Sequence, residues 1–458
     1  MVDAGNQKSE GEGPIMTATA AVNEEKLDFK KVLPIFIIVL VDLLGLTIII
    51  PLLPLYTAAM GATPFVIGLL AATYPVMQLI GGPFLGGLSD RFGRKPILLV
   101  SQIGTFIGFM ILGFATMLPW VFISRLIDGI SGANIVVAQA AITDNTTEKT
   151  RTQGLGLLGA AFGLGFTIGP AIAGIALTLS DNNYQIPAFI AAGFSFLSIL
   201  LTNFWFKETL TDEVRDAKRA DTRSSGFFQN VSQAVSNPLV GVLLVLVFMQ
   251  QLVFYGYENL FPLFTLNRLG LNAAGNAMIF VFIGVLLVVV QGRAIGPLSR
   301  KFGERNLVLA ALALLGIGLI FSAITPSVPM PGYSEEALLE ELSKQTRVQE
   351  IAIAIPDDAE TGWQGLIWIL LASVPVTIGA GILGPSINSL ITKQVGSHQV
   401  GTTLGVSASF VSGANAITPI IGGAIFQWYG STAPFLIGGI LLLLLLIPAT
   451  LKVPRTKT

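Results

Sequence analysis

The sequence predicts an all-α polytopic membrane protein in which twelve transmembrane helices form two pseudo-symmetric six-helix bundles. Three observations lead to this prediction: the composition, the recurrence of apolar segments and an internal repeat. Hydrophobic residues make up 52% of the 458 residues and charged residues only 12%, which is about half the charged share of a typical soluble domain. A chain so poor in charge cannot cover its own surface in water, so lipid must cover it.

Apolar segments long enough to cross a hydrocarbon core of about 30 Å recur along the chain. Some contain proline, which membrane helices tolerate where neighbouring groups satisfy the freed backbone. The predicted spans, with ends placed to within about four residues, are 32–57, 65–88, 96–115, 119–142, 152–178, 187–206, 238–264, 275–298, 306–325, 364–391, 401–425 and 433–451.

The distribution of Lys and Arg predicts the orientation. If the N-terminus is cytoplasmic, the inner segments hold 22 of the 26 basic residues and the outer loops hold 3, namely Arg268, Lys344 and Arg347. Inner loops of membrane proteins carry such an excess. We therefore predict a multi-pass protein of the cell (inner) membrane with both termini cytoplasmic. The polar segment from Met1 to Lys31 lacks the apolar core of a cleaved signal peptide.

Two long loops organise the chain. One separates the sixth and seventh spans, and the other is an acidic outer loop before the tenth span. In the acidic loop, Ser334-Glu335-Glu336 precedes an apolar stretch and predicts a short, capped surface helix, with a plain solvated loop as the alternative. The predicted parts are a cytoplasmic tail at 1–31, a six-helix bundle at 32–206, a cytoplasmic linker at 207–237, a six-helix bundle at 238–452 with the outer loop 326–363, and a cytoplasmic tail at 453–458.

An internal repeat relates the two bundles. Gly86-Gly-Leu-Ser-Asp-Arg-Phe-Gly-Arg-Lys95 lies between the second and third spans, and Gly296-Pro-Leu-Ser-Arg-Lys-Phe-Gly-Glu-Arg305 lies between the eighth and ninth, at an offset of 210. The stretch from Leu155 to Gly174 in the fifth span matches that from Leu404 to Gly423 in the eleventh, at an offset of 249. Two related six-helix halves are a recurring transporter design, with the substrate held near the midplane between them.

The segment from Gly86 to Lys95 is the most specific motif. Asp90 lies at a helix end near three cations, where a carboxylate can pair with a cation or cap a neighbouring helix. Such a contact can form in one conformation and break in another, so the segment is a candidate conformational gate, with an ordinary basic loop as the alternative. The gate residues are Gly86, Asp90, Arg91, Gly93, Arg94 and Lys95.

This segment resembles the signature loop of the major facilitator superfamily. The segment of the first span from Asp42 to Pro54 resembles that of tetracycline-efflux exporters. The fourth span, Arg125-Leu-Ile-Asp-Gly-Ile-Ser-Gly, is similar to the family's motif around an intramembrane Arg. Asp128 stands where many relatives have a neutral residue, and Arg300 replaces the acid in the second copy of the loop. The resemblance covers essentially the whole chain and implies a transporter of twelve spans.

The fifth span is similar to the antiporter motif of the drug:proton antiporters, with Ala173 in place of one glycine. The resemblance implies a smooth helix face that holds the two halves together and limits leak. Generic close packing of small residues is the alternative. The motif residues are Gly156, Gly165, Gly169, Pro170 and Gly174.

Four ionisable residues lie well inside predicted spans, away from their ends: Asp42, Arg125, Asp128 and Glu258. Each costs roughly 2–3 kcal/mol or more in hydrocarbon and needs a partner or water. The first three lie near one depth, and Arg125 and Asp128 share a helix face. We predict that these three form a proton-coupling cluster, with Asp42 as the first choice of proton carrier and Asp128 as the second. A static ion pair that fixes helix packing is the alternative.

Polar residues within apolar spans are candidates for substrate binding, because a mostly apolar cavity with a few polar groups suits an amphipathic ligand. Glu258 would meet a cationic group of such a ligand. For each single residue, a local hydrogen bond between helices is the alternative. The candidates are Gln78, Asn134, Gln139, Gln250, Tyr255, Glu258 and Asn388.

Together these features predict a proton-coupled secondary transporter that exports a drug-like or amphipathic small molecule by alternating access. One alternative is an importer or uniporter for a metabolite such as a sugar or an organic anion. The other is a non-transporting membrane receptor or assembly factor whose acidic outer loop binds a partner.

Composition also limits the partners. Enzymatic activity is not expected, because no nucleophile–base pair and no phosphate-binding loop is present. The chain has no Cys and one His, His398, so we predict no metal site and no cofactor, with a proton gradient as the energy source. A net charge of −1 predicts no nucleic-acid partner. The expected partners are a small-molecule substrate, protons and the lipid bilayer, and the chain is expected to be a monomer.

Overall fold

A computed structural model describes residues 27–132, 134–147, 150–211, 215, 227–344, 352–396 and 399–453. These residues form helices and, within the described ranges, no strand. The helices are α1 (Phe29–Ile49), α2 (Leu53–Ala59), α3 (Pro64–Phe92), α4 (Arg94–Gly113), α5 (Leu118–Ser131), α6 (Asn134–Asp144), α7 (Arg151–Leu179), α8 (Gln185–Phe204), α9 (Phe227–Ser236), α10 (Pro238–Leu269), α11 (Ala273–Val289), α12 (Ile295–Ala323), α13 (Glu335–Lys344), α14 (Gln364–Gln394), α15 (Val400–Tyr429) and α16 (Ala433–Lys452).

Eleven of the described helical stretches are long and apolar enough to cross a membrane. One of them, Ala273–Ala323, has 51 residues, more than twice the roughly 20 that a crossing needs. A π-helical turn at Val290–Ala294 and non-helical backbone at Gly303 divide it into the eighth and ninth spans. The prediction of twelve spans is therefore confirmed, and the two inner-loop repeats both turn at a glycine with positive φ, 105° at Gly93 and 74° at Gly303.

Two spans of the first half are built from two helices each. The first span breaks between α1 and α2 around Pro51, because a proline inside a helix removes a backbone hydrogen bond and clashes with the preceding turn. The fourth span consists of α5 and α6, and residue 133 between them lies outside the described residues. The break at Pro51 lies in the half that carries the buried charges, just beyond the end of the helix that holds Asp42.

The two bundles meet through spans 2 and 11 and through spans 5 and 8. We call the face that is predicted to be cytoplasmic the inner face, and the opposite one the outer face. On the outer side, a Cβ added to Gly68 of α3 would lie 2.1 Å from the Pro419 carbonyl oxygen of α15. The Phe65 backbone N–H also donates to Gln427 Oε1 at 3.1 Å. The outer ends of the halves are therefore in direct contact.

The inner ends of the same helices lie apart. A Cβ placed on Gly87 of α3, Gly156 of α7 or Gly405 of α15 would meet no neighbouring helix within 4 Å in the described part of the chain. At mid-depth, by contrast, a Cβ on Gly284 of α11 would lie 2.8 Å from the Thr167 backbone of α7. Because the contacts found between the halves lie at the outer face and at mid-depth, we interpret the structure as closed at the outer face and open at the inner face.

The long loops are only partly described. In the predicted linker, α9 is a helix that the sequence analysis did not foresee, and residues 212–214 and 216–226 lie outside the described residues. In the outer loop, the short surface helix is confirmed as α13 (Glu335–Lys344), with Ser334 Oγ accepting from the Ala337 backbone N–H at 3.3 Å. Most of both predicted tails, residues 1–26 and 454–458, and His398 also lie outside the described residues.

Candidate functional site

The buried ion pair of the fourth span is the centre of the charged cluster. Arg125 Nη1 lies 3.0 Å from Asp128 Oδ2, and both side chains are 2% exposed. The guanidinium also donates to Ser124 Oγ at 3.1 Å and lies 5.5 Å from the centre of the Phe109 ring. A Cβ on Gly108 would come within 2.9 Å of the Asp128 Cβ, so the glycine lets the third span approach the pair closely.

Asp42 joins this cluster through an amide. Asn134 Nδ2 donates to Asp42 Oδ2 at 2.7 Å, across from α6 to α1. The other carboxylate oxygen, Asp42 Oδ1, is buried and has no hydrogen-bond partner among the described residues. Asn134, predicted as a substrate-binding residue, is therefore a partner of the carboxylate that was predicted to carry the proton.

Tyr74 of the second span was missed by the sequence analysis. It lies within electrostatic range of Asp42, Arg125 and Asp128 in its own half and of Tyr255 in the other half. The predicted substrate residue Gln78, one turn along α3, donates to the Tyr74 hydroxyl at 3.3 Å and to the Gly132 carbonyl at 2.9 Å. The spacing of Tyr74 and Gln78 on one face of an apolar helix is the signal that would have identified this residue.

The second half contains one buried acid. Glu258 of α10 is 8% exposed, and in the described part of the chain it forms no hydrogen bond or ion pair; Tyr255 is within its electrostatic range. Gln250 is buried on the same helix, and its neighbour Gln251 donates to Asn415 Oδ1 at 2.8 Å. Glu258 is thus a buried carboxylate in a membrane span to which the described residues supply no hydrogen bond or ion pair.

The remaining two substrate candidates lie elsewhere. Gln139 and Asn388 are exposed and lie near the inner ends of α6 and α14. Asn388 Oδ1 accepts from the Ser407 hydroxyl at 3.3 Å, which joins the tenth and eleventh spans. No described contact joins either residue to the charged cluster or to Glu258.

The inner-loop motif is organised around Arg94. Its guanidinium is 2% exposed and pairs with Asp90 at 2.8 Å and with Asp144 at 2.9 Å, and it donates to Ser89 Oγ at 2.6 Å. Asp144 ends α6, so the pair ties the second and third spans to the fourth. Asp144 was missed because it lies 50 residues from Arg94 and outside the motif.

A second missed acid caps the third span. Glu208, which follows α8, accepts from the backbone N–H groups of Arg94 and Lys95 at 2.9 and 3.0 Å. These are orphan donors at the first turn of α4, where a carboxylate is favoured by the helix dipole. Lys95 Nζ in turn donates to the Asn203 carbonyl at 2.8 Å. The sequence offered Asp90 either an ion pair or a helix cap; Asp90 pairs with Arg94, and Glu208 forms the cap.

The antiporter motif of the fifth span faces two different neighbours. A Cβ on Gly165 or Gly169 would meet Thr47 of α1, at 3.5 and 2.1 Å respectively, which is a contact inside the first half. Gly174 faces Ala277 of the other half, where a Cβ would lie 3.2 Å from its Cβ. Pro170 stays within α7. The expectation that all the motif glycines face the other half is therefore corrected: Gly165 and Gly169 pack within the first half, Gly174 faces the second half, and Gly156 lies in open space.

A twelve-span, two-bundle membrane protein with buried charges at mid-depth and an opening on one side has the architecture of a secondary transporter. The sequence profile of the Major Facilitator Superfamily matches residues 35–335 and 358–458, and the chain belongs to this family. Members of the family are transporters, which confirms that the chain is not an enzyme.

Relatives with assigned roles are resistance proteins. The chain is 30% identical over 396 residues to the tetracycline resistance protein, class B, of Escherichia coli, covering 85% of this chain and 87% of that protein. It is 26% identical over 428 residues to multidrug resistance protein 2 of Bacillus subtilis (strain 168), covering 92% and 94%. These matches confirm the resemblance to drug-efflux members of the family.

Solved structures share the fold. A human organic anion transporter, MFSD10, superposes with a TM-score of 0.58 at 22% identity, covering 92% of this chain and 99% of that one. The nucleoside transporter NupG superposes with a TM-score of 0.66 at 13% identity, covering 93% and 99%. At these identities the likeness establishes the fold and not the cargo.

Proposed function

We propose that the chain is a proton-coupled exporter of amphipathic, drug-like molecules. The observation that carries this proposal is the mid-depth cluster in which Asn134 holds Asp42 beside the Arg125–Asp128 pair. Charges at this depth are costly, and the cluster contains one carboxylate oxygen, Asp42 Oδ1, that no described protein group satisfies. A proton bound there would neutralise the charge without breaking the hydrogen bond from Asn134.

Proton exchange at Asp42 would be linked to the conformation. In the inward-open state, the inner end of the fifth span is exposed around Gly156, so water from the inner side supplies the release path. Arg125 is held by Asp128 in this state. A movement of the halves that alters the distance from Arg125 to Asp42 changes the proton affinity of Asp42, because a nearby cation favours the ionised form.

Glu258 supplies the substrate side of the proposal. No described residue forms a hydrogen bond or an ion pair with its carboxylate, and Tyr255, on the same helix, lies within electrostatic range both of Glu258 and of Tyr74 in the first half. Aromatic faces and one anionic group are suited to an amphipathic cation. The resistance proteins among the relatives support a drug-like substrate. In this proposal Asp42 binds the proton and Glu258 binds the substrate.

Export and import are distinguished by collapsing the proton gradient. Cells of a pump-deficient host that express the chain are loaded with ethidium, an amphipathic cation, and a protonophore is added. A proton-driven exporter stops working, so intracellular ethidium rises. A fall in intracellular ethidium would contradict export and support the importer alternative. Tetracycline serves as a second probe, and the Asp42→Asn variant is the control, because its ethidium level is expected to be high before and after the protonophore.

A further inference from the structure

The acidic outer loop contains a docked helix that the family profile does not include. The profile match omits residues 336–357, which cover nearly all of α13. Leu338 and Leu342 of this helix are 6% and 1% exposed, so α13 is held against the protein by an apolar stripe. A helix that only kept a loop soluble would not bury these two side chains.

The loop is attached firmly to the second half. Asn267 of α10 donates through Nδ2 to the Ala354 carbonyl at 2.8 Å, and the Gly362 backbone N–H donates to the Pro329 carbonyl at 2.7 Å. Tyr333 donates its hydroxyl to the Pro356 carbonyl at 2.8 Å. These bonds fix both ends of the loop near the outer ends of the seventh, ninth and tenth spans. The loop therefore moves with the second half.

Glu341 reaches from this loop to the first half. Its Oε2 accepts from Asn272 Nδ2 of the second half at 2.9 Å and from Asn182 Nδ2 of the first half at 3.0 Å. Asn272 caps the N-terminus of α11, and Asn182 lies in the turn between α7 and α8. One carboxylate thus joins the outer ends of the fifth and eighth spans, which belong to opposite bundles.

A buried tyrosine completes the contact. Tyr184 is fully buried, and its hydroxyl faces both Glu341 and the Ala273 backbone. Its ring packs edge-on against Tyr56 of α2, with centroids 5.9 Å apart. Hydrogen bonds to an ionised acceptor are roughly twice as strong as neutral ones, more so where water is excluded. This contact joins the outer ends of the two bundles, so it can form only when the outer side is closed.

We propose that α13 is a latch that stabilises the outward-closed state through Glu341. Opening the outer face would pull Asn182 and Tyr184 away from Glu341, while the loop stays with the second half. The latch therefore sets the balance between the inward-open and outward-open states. This inference rests on the proposed alternation of the halves and is independent of the substrate and of the proton.

The chain has no cysteine, so spin labels attach only to introduced cysteines. Distances between the halves can then be measured by pulsed electron paramagnetic resonance. Spin labels are attached at Phe114→Cys and Ile324→Cys, which are 67% and 54% exposed and lie at the outer ends of the third and ninth spans. The Glu341→Ala variant is compared with Glu336→Ala, a change on the exposed side of the same helix.

A second variant removes the partner in the first half. Asn182 has φ of 55° and its neighbour Asp181 has φ of 49°, so glycine replaces either residue without backbone strain. Asn182→Gly deletes the amide that Glu341 binds and leaves α13 intact, and Asp181→Gly is its matched control. Asn182→Gly and Asp181→Gly do not change α13, so they test the contact even if Glu341→Ala detaches this helix from the protein.

Glu341→Ala and Asn182→Gly are each expected to raise the population with a longer outer distance about tenfold, within the usual range of conformational coupling. The combined variant is expected to raise this population no more than either single variant does. The two controls are expected to match the parent. Equal distance distributions in all five variants would overturn the latch and leave the proposed transport function intact. Loss of ethidium export in Glu341→Ala or Asn182→Gly, with outer distances equal to those of the parent, would also contradict the latch.

Discussion

The inner loops of the two halves hold ion pairs at equivalent positions, but the positions of the cation and the anion are reversed. In the first half, Arg94 pairs with Asp144 at 2.9 Å. In the second, Glu304 pairs with Lys393 at 2.5 Å. The repeat offsets of 210 and 249 carry Arg94 onto Glu304 and Asp144 onto Lys393. Duplication has preserved where the two charges meet, and the cation and the anion have exchanged places.

A second contact shows a similar exchange that is displaced by one residue, because the offset of 210 carries Thr47 onto Tyr257, the neighbour of Gly256. In the first half, Gly169 of the fifth span packs on Thr47 of the first span. In the second half, Thr418 of the eleventh span, which corresponds to Gly169, packs on Gly256 of the seventh span, where a Cβ would lie 2.9 Å from the threonine methyl. The geometry of a small residue against a threonine is kept, while the helix that supplies each partner has changed.

The mid-depth charges do not follow this pattern. The positions that correspond to Arg125 and Asp128 in the tenth span are Val374 and Thr377, at the offset of 249. Thr377 donates its hydroxyl to the Ser373 carbonyl of its own helix at 2.7 Å. Contacts that hold each bundle together are thus duplicated, whereas the charged cluster belongs to one half. Under the proposed function, this difference separates charges that stabilise each bundle from charges that take part in transport.

The largest effect is expected where the halves differ most. Asp128→Asn leaves the Arg125 guanidinium buried without its counter-ion, and breaking a buried pair in this way costs about 3–5 kcal/mol. Thr377→Val changes the equivalent position of the second half and is expected to leave ethidium export within twofold of the parent. Thermal unfolding in detergent and ethidium export check both variants. Similar losses in both would mean that the fourth span carries no special role.

Reversing the inner-loop pairs sharpens the comparison. Arg94→Glu places a new carboxylate beside those of Asp90 and Asp144 in a buried site. It is expected to destabilise the protein by about 3–5 kcal/mol. Lys393→Glu affects a side chain that is 49% exposed, where ion pairs contribute about 1 kcal/mol or less.

The double exchange Arg94→Glu with Asp144→Lys copies the arrangement of the second half. It is expected to recover part of the stability lost in the single variant, as measured by the unfolding temperature. No recovery would show that the neighbours of Arg94, especially Ser89 and Asp90, fix the sign of the charge at this site.

The Gly–Thr contacts predict a smaller, graded effect. A Cβ on Gly169 would lie 2.1 Å from Thr47 Oγ1, against 2.9 Å from the Thr418 methyl for Gly256. Overpacking of this kind costs about 1–3 kcal/mol, so Gly169→Ala should lower the unfolding temperature more than Gly256→Ala. Gly156→Ala, in open space, should change the stability by less than about 0.5 kcal/mol. The reverse order would refute the proposed equivalence of the two contacts.

Among the variants that remove a contact, the smallest effect is expected from a single amide bond in the second half. Gln251 donates to Asn415 at 2.8 Å between the seventh and eleventh spans. Hydrogen bonds between membrane helices contribute about 0.6 kcal/mol on average. Gln251→Ala is therefore expected to reduce the stability by that amount and to leave ethidium export unchanged. A loss of export larger than the loss of stability would assign Gln251 to the substrate site.

Much of the fold follows from the sequence, because the length and spacing of apolar runs determine where the chain crosses the bilayer. The breaks at Pro51 and at Gly303 follow from local backbone preferences. Hydropathy also gives the depth of Asp42 and Asp128. It does not give the direction in which a side chain points around the helix axis, so Asn134 was assigned to the substrate although it binds Asp42.

The residues that were missed act over long separations along the chain. Asp144, Glu208 and Glu341 are 50, 114 and 159 residues from the partners they bind. No local motif contains both members of these pairs. The repeat did contain a usable signal for one of them, because Arg94 and Asp144 change sign together in the second half. Glu341 lies outside the repeat, and only the packed structure shows that it joins the two bundles.

The central claim is that protons are exchanged at Asp42, in the first half alone. Purified protein is reconstituted in liposomes with an internal pH indicator, and ethidium-driven proton flux is measured for the parent, Asp42→Asn and Asp128→Asn. The account predicts that Asp42→Asn abolishes the flux while ethidium still binds. Full coupling of ethidium movement to proton flux in both variants would contradict the account and remove the cluster from the mechanism.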